Sequence, residues 1–226
     1  MMFSSCGQSA KETKVNLNSE AKQGKIDLLC QDEGVVINGV RWATRNVDKP
    51  KTFAASSDDA GMLYQWNRRI GWSATDPMIN SNDGTAWDTT KITGTTWDKS
   101  NDPSPVGWRV PTLEEIKSLL DTEKVTNEWT THNDVSGRKF TDKTSGKSIF
   151  LPAAGYRDHN YGTFVSGMLE SGFFGRKAGL GGFYWSSTQF DSNNTYAYYL
   201  SLDSNSAYWD NACSKSYGYS VRSVAD

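Results

Sequence analysis

The chain has 226 residues, 36% of them hydrophobic, with 9 Trp, 10 Tyr, 9 Phe and 20 Gly. That composition suits a loop-rich globular domain with an aromatic core better than a helical bundle, which would be richer in Leu and Ala. Lys and Arg total 24 against 26 Asp and Glu, with no basic run longer than Asn67-Arg68-Arg69. Nucleic acid is therefore excluded as a partner, and no apolar run approaches the roughly 20 residues that cross a bilayer as a helix.

Residues 1–34 read as a polar tether of Lys, Gln, Ser, Asn and Glu that cannot pack a core. Small residues precede Cys6, as at a lipoprotein cleavage site where the thiol is lipidated, although the charged and apolar parts of a signal peptide do not precede them. The reading is a truncated lipoprotein signal, with an ordinary tail cysteine as the alternative. It implies an extracellular, cell-surface protein that touches membrane only through a lipid; a phage particle stays open. Cys6, Cys30 and Cys213 are too few for a disulfide framework and lack metal-ligand spacing, so no cofactor or metal is expected. A Cys30–Cys213 bridge stays open.

The folded domain is expected over residues 35–226. Asn38-Gly39 between Val35-Val36-Ile37 and Val40-Arg41-Trp42 predicts a tight hairpin. Residues 48–59 read as a loop and residues 61–66 as a buried short strand. From 68 to 102, Trp72, Trp87 and Trp97 sit among Thr, Ser, Asn, Asp and Gly, which predicts long loops pinned by tryptophans. Thr112 and Glu115 form a capping-box pair, and Leu113, Ile116 and Leu120 share a face with Leu119 beside them, which predicts a helix to about Glu123. Glu114 and Glu115 diverge by about 100° on that helix, so they are structural rather than an acid/base pair. Residues 138–151 predict a second hairpin ended by Pro152, and residues 155–182 a glycine-rich excursion.

Residues 184–224 carry the functional signal. Tyr198, Leu200 and Leu202 recur at period two, as do Tyr219 and Val221, leaving Tyr199, Ser201 and Asp203 on the other face. Residues 204–217 have turn chemistry and little to bury. With its WSS, AYxLxL, Trp209 and GYSVRxV landmarks, this stretch resembles the variable region of proteins diversified by diversity-generating retroelements. There a template rich in AAY asparagine codons is copied with errors at adenines. The resemblance implies varied, ligand-binding positions at Tyr199, Ser201, Asp203, Ser206, Tyr208, Asp210, Ala212, Cys213, Ser214, Ser216 and Tyr217. Every one of these residues can arise from AAY by changes in the first two bases. Lys215 and Gln189 cannot, and must belong to the frame or count against the idea. The frame would bury Trp185, Tyr198, Leu200, Leu202, Trp209 and Val221, while exposed positions change at a cost within about ±0.5 kcal/mol each.

Further landmarks follow in order: GVRWATRNV, GMLYQW, DPSPVGWRVPTLEE, LPAAGYR, FYWSST and YSVRSV. Together they resemble the Fibrobacter succinogenes-type major paralogous domain, common in secreted proteins of Bacteroides-like bacteria. That resemblance implies an α+β, C-type lectin-like domain with long loops, few helices and short antiparallel strands, its terminal strands near one another. Members often carry a cysteine where Ser104 stands, so any disulfide made there is absent.

The more remote likeness to formylglycine-generating enzyme implies a reactive cysteine pair and a metal site, which three scattered cysteines do not support. His132 and His159 lack spaced partners, and no nucleophile elbow, phosphate loop or zinc motif is present, so no enzymatic activity is expected. Trp209-Asp210-Asn211 matches a calcium-dependent sugar site only loosely, although aromatic side chains can stack on sugars without metal. The expected function is a surface-displayed ligand-binding protein with Tyr199, Tyr208 and Tyr217 as anchors for a protein or glycan ligand. The alternative is an adhesin or fimbrial-tip component of fixed specificity.

Overall fold

A computed structural model describes residues 32–168 and 179–226. Residues 1–31 of the tether, with Cys6 and Cys30, and residues 169–178 of the glycine-rich excursion lie outside the described residues. Glu33–Asp226 forms one unit whose regular structure, among the described residues, is strand apart from one short helix.

The first hairpin pairs β1 (Val35–Ile37) with β2 (Val40–Trp42). Asn38 and Gly39 both take positive φ, 46° and 81°, which a two-residue turn demands. Next come β3 (Met62–Tyr64), β4 (Gly71–Ser73) and β5 (Trp108–Arg109). Between β4 and β5 the chain is loop, and its tryptophans pin it: Trp72 lies 4.8 Å from Trp87, and Trp97 5.7 Å from Trp66.

The helix α1 (Leu113–Leu119) starts at Thr112 with the full reciprocal capping box to Glu115. It stops short of the expected Glu123 because Asp121 organises its own turn: its carbonyl accepts from Lys124 and Val125 N–H, and its carboxylate from Glu123 N–H. Local side-chain bonds of this kind compete with the helix ladder.

A three-stranded sheet follows, made of β6 (Val125–His132), β7 (Val135–Asp142) and β8 (Ser148–Pro152). The β7–β8 hairpin is the expected one. The sequence reading assigned nothing to β6, although Asn133 and Asp134 at positive φ mark its turn.

The excursion contributes β9 (Tyr156–Arg157), β10 (Phe164–Val165), β11 (Gly167–Met168) and β12 (Gly179–Leu180). The chain closes with β13 (Gly182–Gln189), β14 (Tyr196–Leu202), β15 (Ala207–Ser214), β16 (Tyr219–Ser220) and β17 (Val224–Ala225).

The largest sheet runs β15-β14-β13-β16-β3-β4, and a second runs β1-β2-β17-β5. Val224 pairs with both Trp42 and Arg109, which joins the two ends of the domain. Beside it, the buried Ser223 hydroxyl donates to Ser104 Oγ at 2.8 Å.

Two clusters fill the interior. Ile37, Trp42, Ile116, Leu119, Phe140, Leu151, Tyr184, Leu200 and Leu202 pack together between the large sheet, α1 and the three-stranded sheet. Tyr64, Trp66, Trp97, Phe183, Trp185, Ala197, Tyr219 and Val221 form the other. Reciprocal indole bonds lock the second cluster: Trp185 Nε1 donates to Tyr64 O (2.7 Å) and Trp66 Nε1 to Ser186 O (2.9 Å).

The expected α+β, C-type lectin-like fold is overturned. The described residues form five sheets and one seven-residue helix, and no lectin structure matches. Among the described residues the helix is confined to Leu113–Leu119, while the others form strands, turns and loops.

Candidate functional site

Neighbouring residues on β14 face opposite ways. Leu200 and Leu202 enter the cluster with α1, whereas Ala197 and Tyr199 join the aromatic cluster with Trp185 and Tyr219. This is the period-two frame expected from sequence at Leu200 and Leu202; Tyr198, expected with them, is only half-buried and meets the Phe190 ring at 5.2 Å.

Residues 204–217, expected to be turn and loop, instead contain β15, the edge strand of the large sheet. Tyr199 pairs with Asn211 and Ser201 with Tyr208, so Trp209 and Asp210 together face Leu200 and form a bulge. Polar, turn-prone residues are carried in this strand because β14 supplies its ladder. Local propensity alone would not make it.

The expected site residues separate into groups. Tyr199, Cys213 and Tyr217 are half-buried against the aromatic cluster. The Tyr199 ring centre lies 5.0 Å from that of Tyr219; Tyr217 stacks on Tyr219 at 5.7 Å, with an interplanar angle of 29°. Cys213 carries a free thiol that donates to Tyr219 OH at 3.2 Å. Tyr208 is 37% exposed on the neighbouring edge.

Ser201 is fully buried and accepts from Asn211 Nδ2 at 2.8 Å. Asp203 shapes the β14–β15 turn: its carboxylate accepts from Asn205 and Ser206 N–H at 2.7 and 2.9 Å, and its carbonyl from Arg138. Ala212 pairs with Tyr198 and Ser214 with Tyr196, both a step out of phase with Cys213. Ser216 uses its carbonyl to hold Gln65 Nε2. Trp209, expected in the buried frame, is 37% exposed and lies 4.5 Å from the Lys117 ammonium.

Sequence reasoning missed two contributors. Tyr156 meets Tyr217 edge-on at 5.7 Å, and His159 lies 4.7 Å from the Tyr217 ring. They arrive because Arg157 and Gly218 exchange both backbone hydrogen bonds, at 2.9 and 3.0 Å. Arg157, fully buried, then fixes the loop by donating to Ser73 O, Thr75 O and Gly162 O. A pairing across some sixty residues leaves no local signal.

Lys215 anchors the site from beneath. Its side chain is buried, with Nζ donating to Gly94 O (2.9 Å), Gln189 Oε1 (2.9 Å) and Asn194 O (2.8 Å) over the Trp66 ring at 4.0 Å. Burial lowers this ammonium to about 8. The three oxygens and the indole face favour its charged form. Lys215 and Gln189, neither of which an AAY codon can give, thus contact one another.

Burial raises the Tyr217 phenol to about 12 and pushes Tyr156, Tyr219 and the Cys213 thiol upward as well. At neutral pH these groups are uncharged, so the thiol is not an activated nucleophile. The face offers rings and hydroxyls, suited to contact area and hydrogen bonding. Among the described residues no group of three or more His, Cys, Asp or Glu could hold a metal ion. His132 stands elsewhere, 5.5 Å from the Phe150 ring.

A family described as a domain of unknown function (DUF8237) matches residues 124–224, from the start of β6 through the candidate face to β17. No curated protein and no solved structure matches the chain.

Proposed function

We propose that this is a surface-displayed ligand-binding protein whose binding face is the tyrosine-rich side of β14 and β15, diversified by a retroelement. The observation that carries the reading is the division of labour around Tyr219. Tyr199, Cys213 and Tyr217, all within reach of a mutated AAY codon, lie half-buried on a floor of Phe183, Trp185 and Tyr219. The floor's hydrogen bonds run to Tyr64 and Ser186, and Lys215 holds the flanking loops, so the upper side chains can change without unfolding the frame. Tyrosine supplies large contact area at low entropic cost, which suits a protein ligand or a glycan. Cys6 would carry the lipid and the polar residues after it the tether.

A fixed-specificity adhesin is the second reading, favoured by Ser201 and Asp203. Both are buried and committed to internal hydrogen bonds, which free variation would break.

Sequencing the flanking DNA, and the coding segment across a population of cells, separates the two. The first reading expects an adenine-rich near-repeat and variation concentrated at codons 199, 208, 213 and 217, with codons 185, 189, 215 and 219 constant. A missing repeat together with invariant codons 199 and 217 overturns it and leaves the fixed adhesin.

A further inference from the structure

The DPSPVGWRVPT stretch takes no part in the face described above, yet it builds a cleft of about 440 Å³, within the range of small-molecule sites. Trp97 and Val110 form its buried floor; Pro105, Val106 and Trp108 line its wall. Val106 is 95% exposed.

The wall is rigid. Asp102 spends both carboxylate oxygens on backbone, accepting from Ser104 N–H (2.8 Å) and Val110 N–H (3.0 Å). Trp108 N–H closes the loop onto Pro105 O at 3.0 Å, its strand pairs with β17, and Phe53 meets its indole edge-on at 5.6 Å.

The charges at the cleft are not equally engaged. Arg109 is held bidentate by Glu115 at 2.6 and 2.9 Å, and Lys51 Nζ donates to Asp102 O. Lys99 makes no ion pair or hydrogen bond among the described residues, and Trp108 Nε1 has no acceptor there. Asp226 supplies the other carboxylate and lies near enough to Arg109 to help raise its pKa. The free donors beside the apolar wall are thus an ammonium and an indole N–H; the Asp226 carboxylate also lacks a hydrogen bond among the described residues, but its charge acts on Arg109, whereas Lys51 and Lys99 have no carboxylate partner there.

We infer that this cleft binds a small organic anion with an apolar body, an aromatic or branched aliphatic carboxylate. Its ring or chain packs between Val106 and Trp108, and its carboxylate meets Lys99. A neutral ligand would leave the ammonium unused, and a cation at the Val106–Trp108 wall would meet Lys51 and Lys99 with only Asp226, already shared with Arg109, to offset them.

The test uses the full chain with 1-anilinonaphthalene-8-sulfonate, whose fluorescence rises on entering an apolar site, and phenylacetate as competitor. Saturable one-to-one binding, displaced by phenylacetate but not by 2-phenylethanol, is expected. Val106→Asp should weaken it by about tenfold or more, the loss of one buried apolar side chain. Lys99→Glu should weaken it about fivefold, less so at high salt. Tyr161→Ser, which alters a different exposed aromatic residue, should leave it unchanged. The inference is overturned by non-saturable binding, by equal competition from 2-phenylethanol, or by full binding in correctly folded Val106→Asp and Lys99→Glu variants.

Discussion

The two faces of the large sheet are made from the same strands, yet they end differently. On one, Tyr184, Leu200 and Leu202 are sealed under Ile116, Leu119 and Phe140. On the other, Phe183, Trp185 and Tyr219 carry a half-exposed layer of Tyr156, Tyr199, Tyr217 and Cys213. Aliphatic side chains must fit closely to be stable, so the first face tolerates little change. Rings with hydroxyl groups can meet both core and water, so the second can be buried below and recognise a ligand above. The difference lies in what covers each face, since the alternation along β14 is the same for both.

Substitutions test this contrast. The largest effect is expected at Lys215, which holds the open face from below. Lys215→Met leaves three oxygens without their donor and should cost about 4 kcal/mol in chemical denaturation. A loss under about 1 kcal/mol would mean that the loops of Gly94 and Asn194 hold themselves. On the sealed face, Leu200→Ala should cost about 3 kcal/mol, the usual cost of a cavity where the surroundings cannot collapse. Tyr217→Ser, on the open face, should cost only about 1 kcal/mol, mostly lost ring packing, with the circular dichroism spectrum retained. Equal losses at Leu200 and Tyr217 would erase the distinction between the faces.

The smallest effect is confined to acid. Asp142 accepts from the Asn38, Thr144 and Ser145 N–H groups, and these bonds, Asn38 first, hold its carboxyl below the usual range. Its folded pKa is lower than its unfolded one, so the stabilisation is complete above the unfolded value of 3.8 and is lost as pH falls through the folded value. As pH falls below about 4, the thermal midpoint of the wild type should therefore fall more steeply than that of Asp142→Asn. Parallel curves would show that the contact adds nothing. Since Asp142 lies away from both faces, this loss should leave their contrast intact.

Local chemistry made several elements legible. Asn38-Gly39 announces its turn because few other pairs accept two positive φ values, and Thr112 with Glu115 announces the helix start because the cap is complete within four residues. The alternation Tyr198, Leu200, Leu202 assigns the two faces of β14. The helix end was misread because Asp121 competes through its own side chain. The lectin-like fold was misread because landmark order carries no information on how strands pair.

Sequence by itself determined the alternation that divides Leu200 and Leu202 from Tyr199, the capped helix start at Thr112 and the turn at Asn38-Gly39, since those depend on side chain and local φ. Tertiary structure alone decided that β15 is a strand, that Tyr156 and His159 reach Tyr217, and that Lys215 contacts Gln189. Each of these rests on partners dozens of residues away or on a neighbouring strand, and long-range pairing is set by the energy of the assembled sheet.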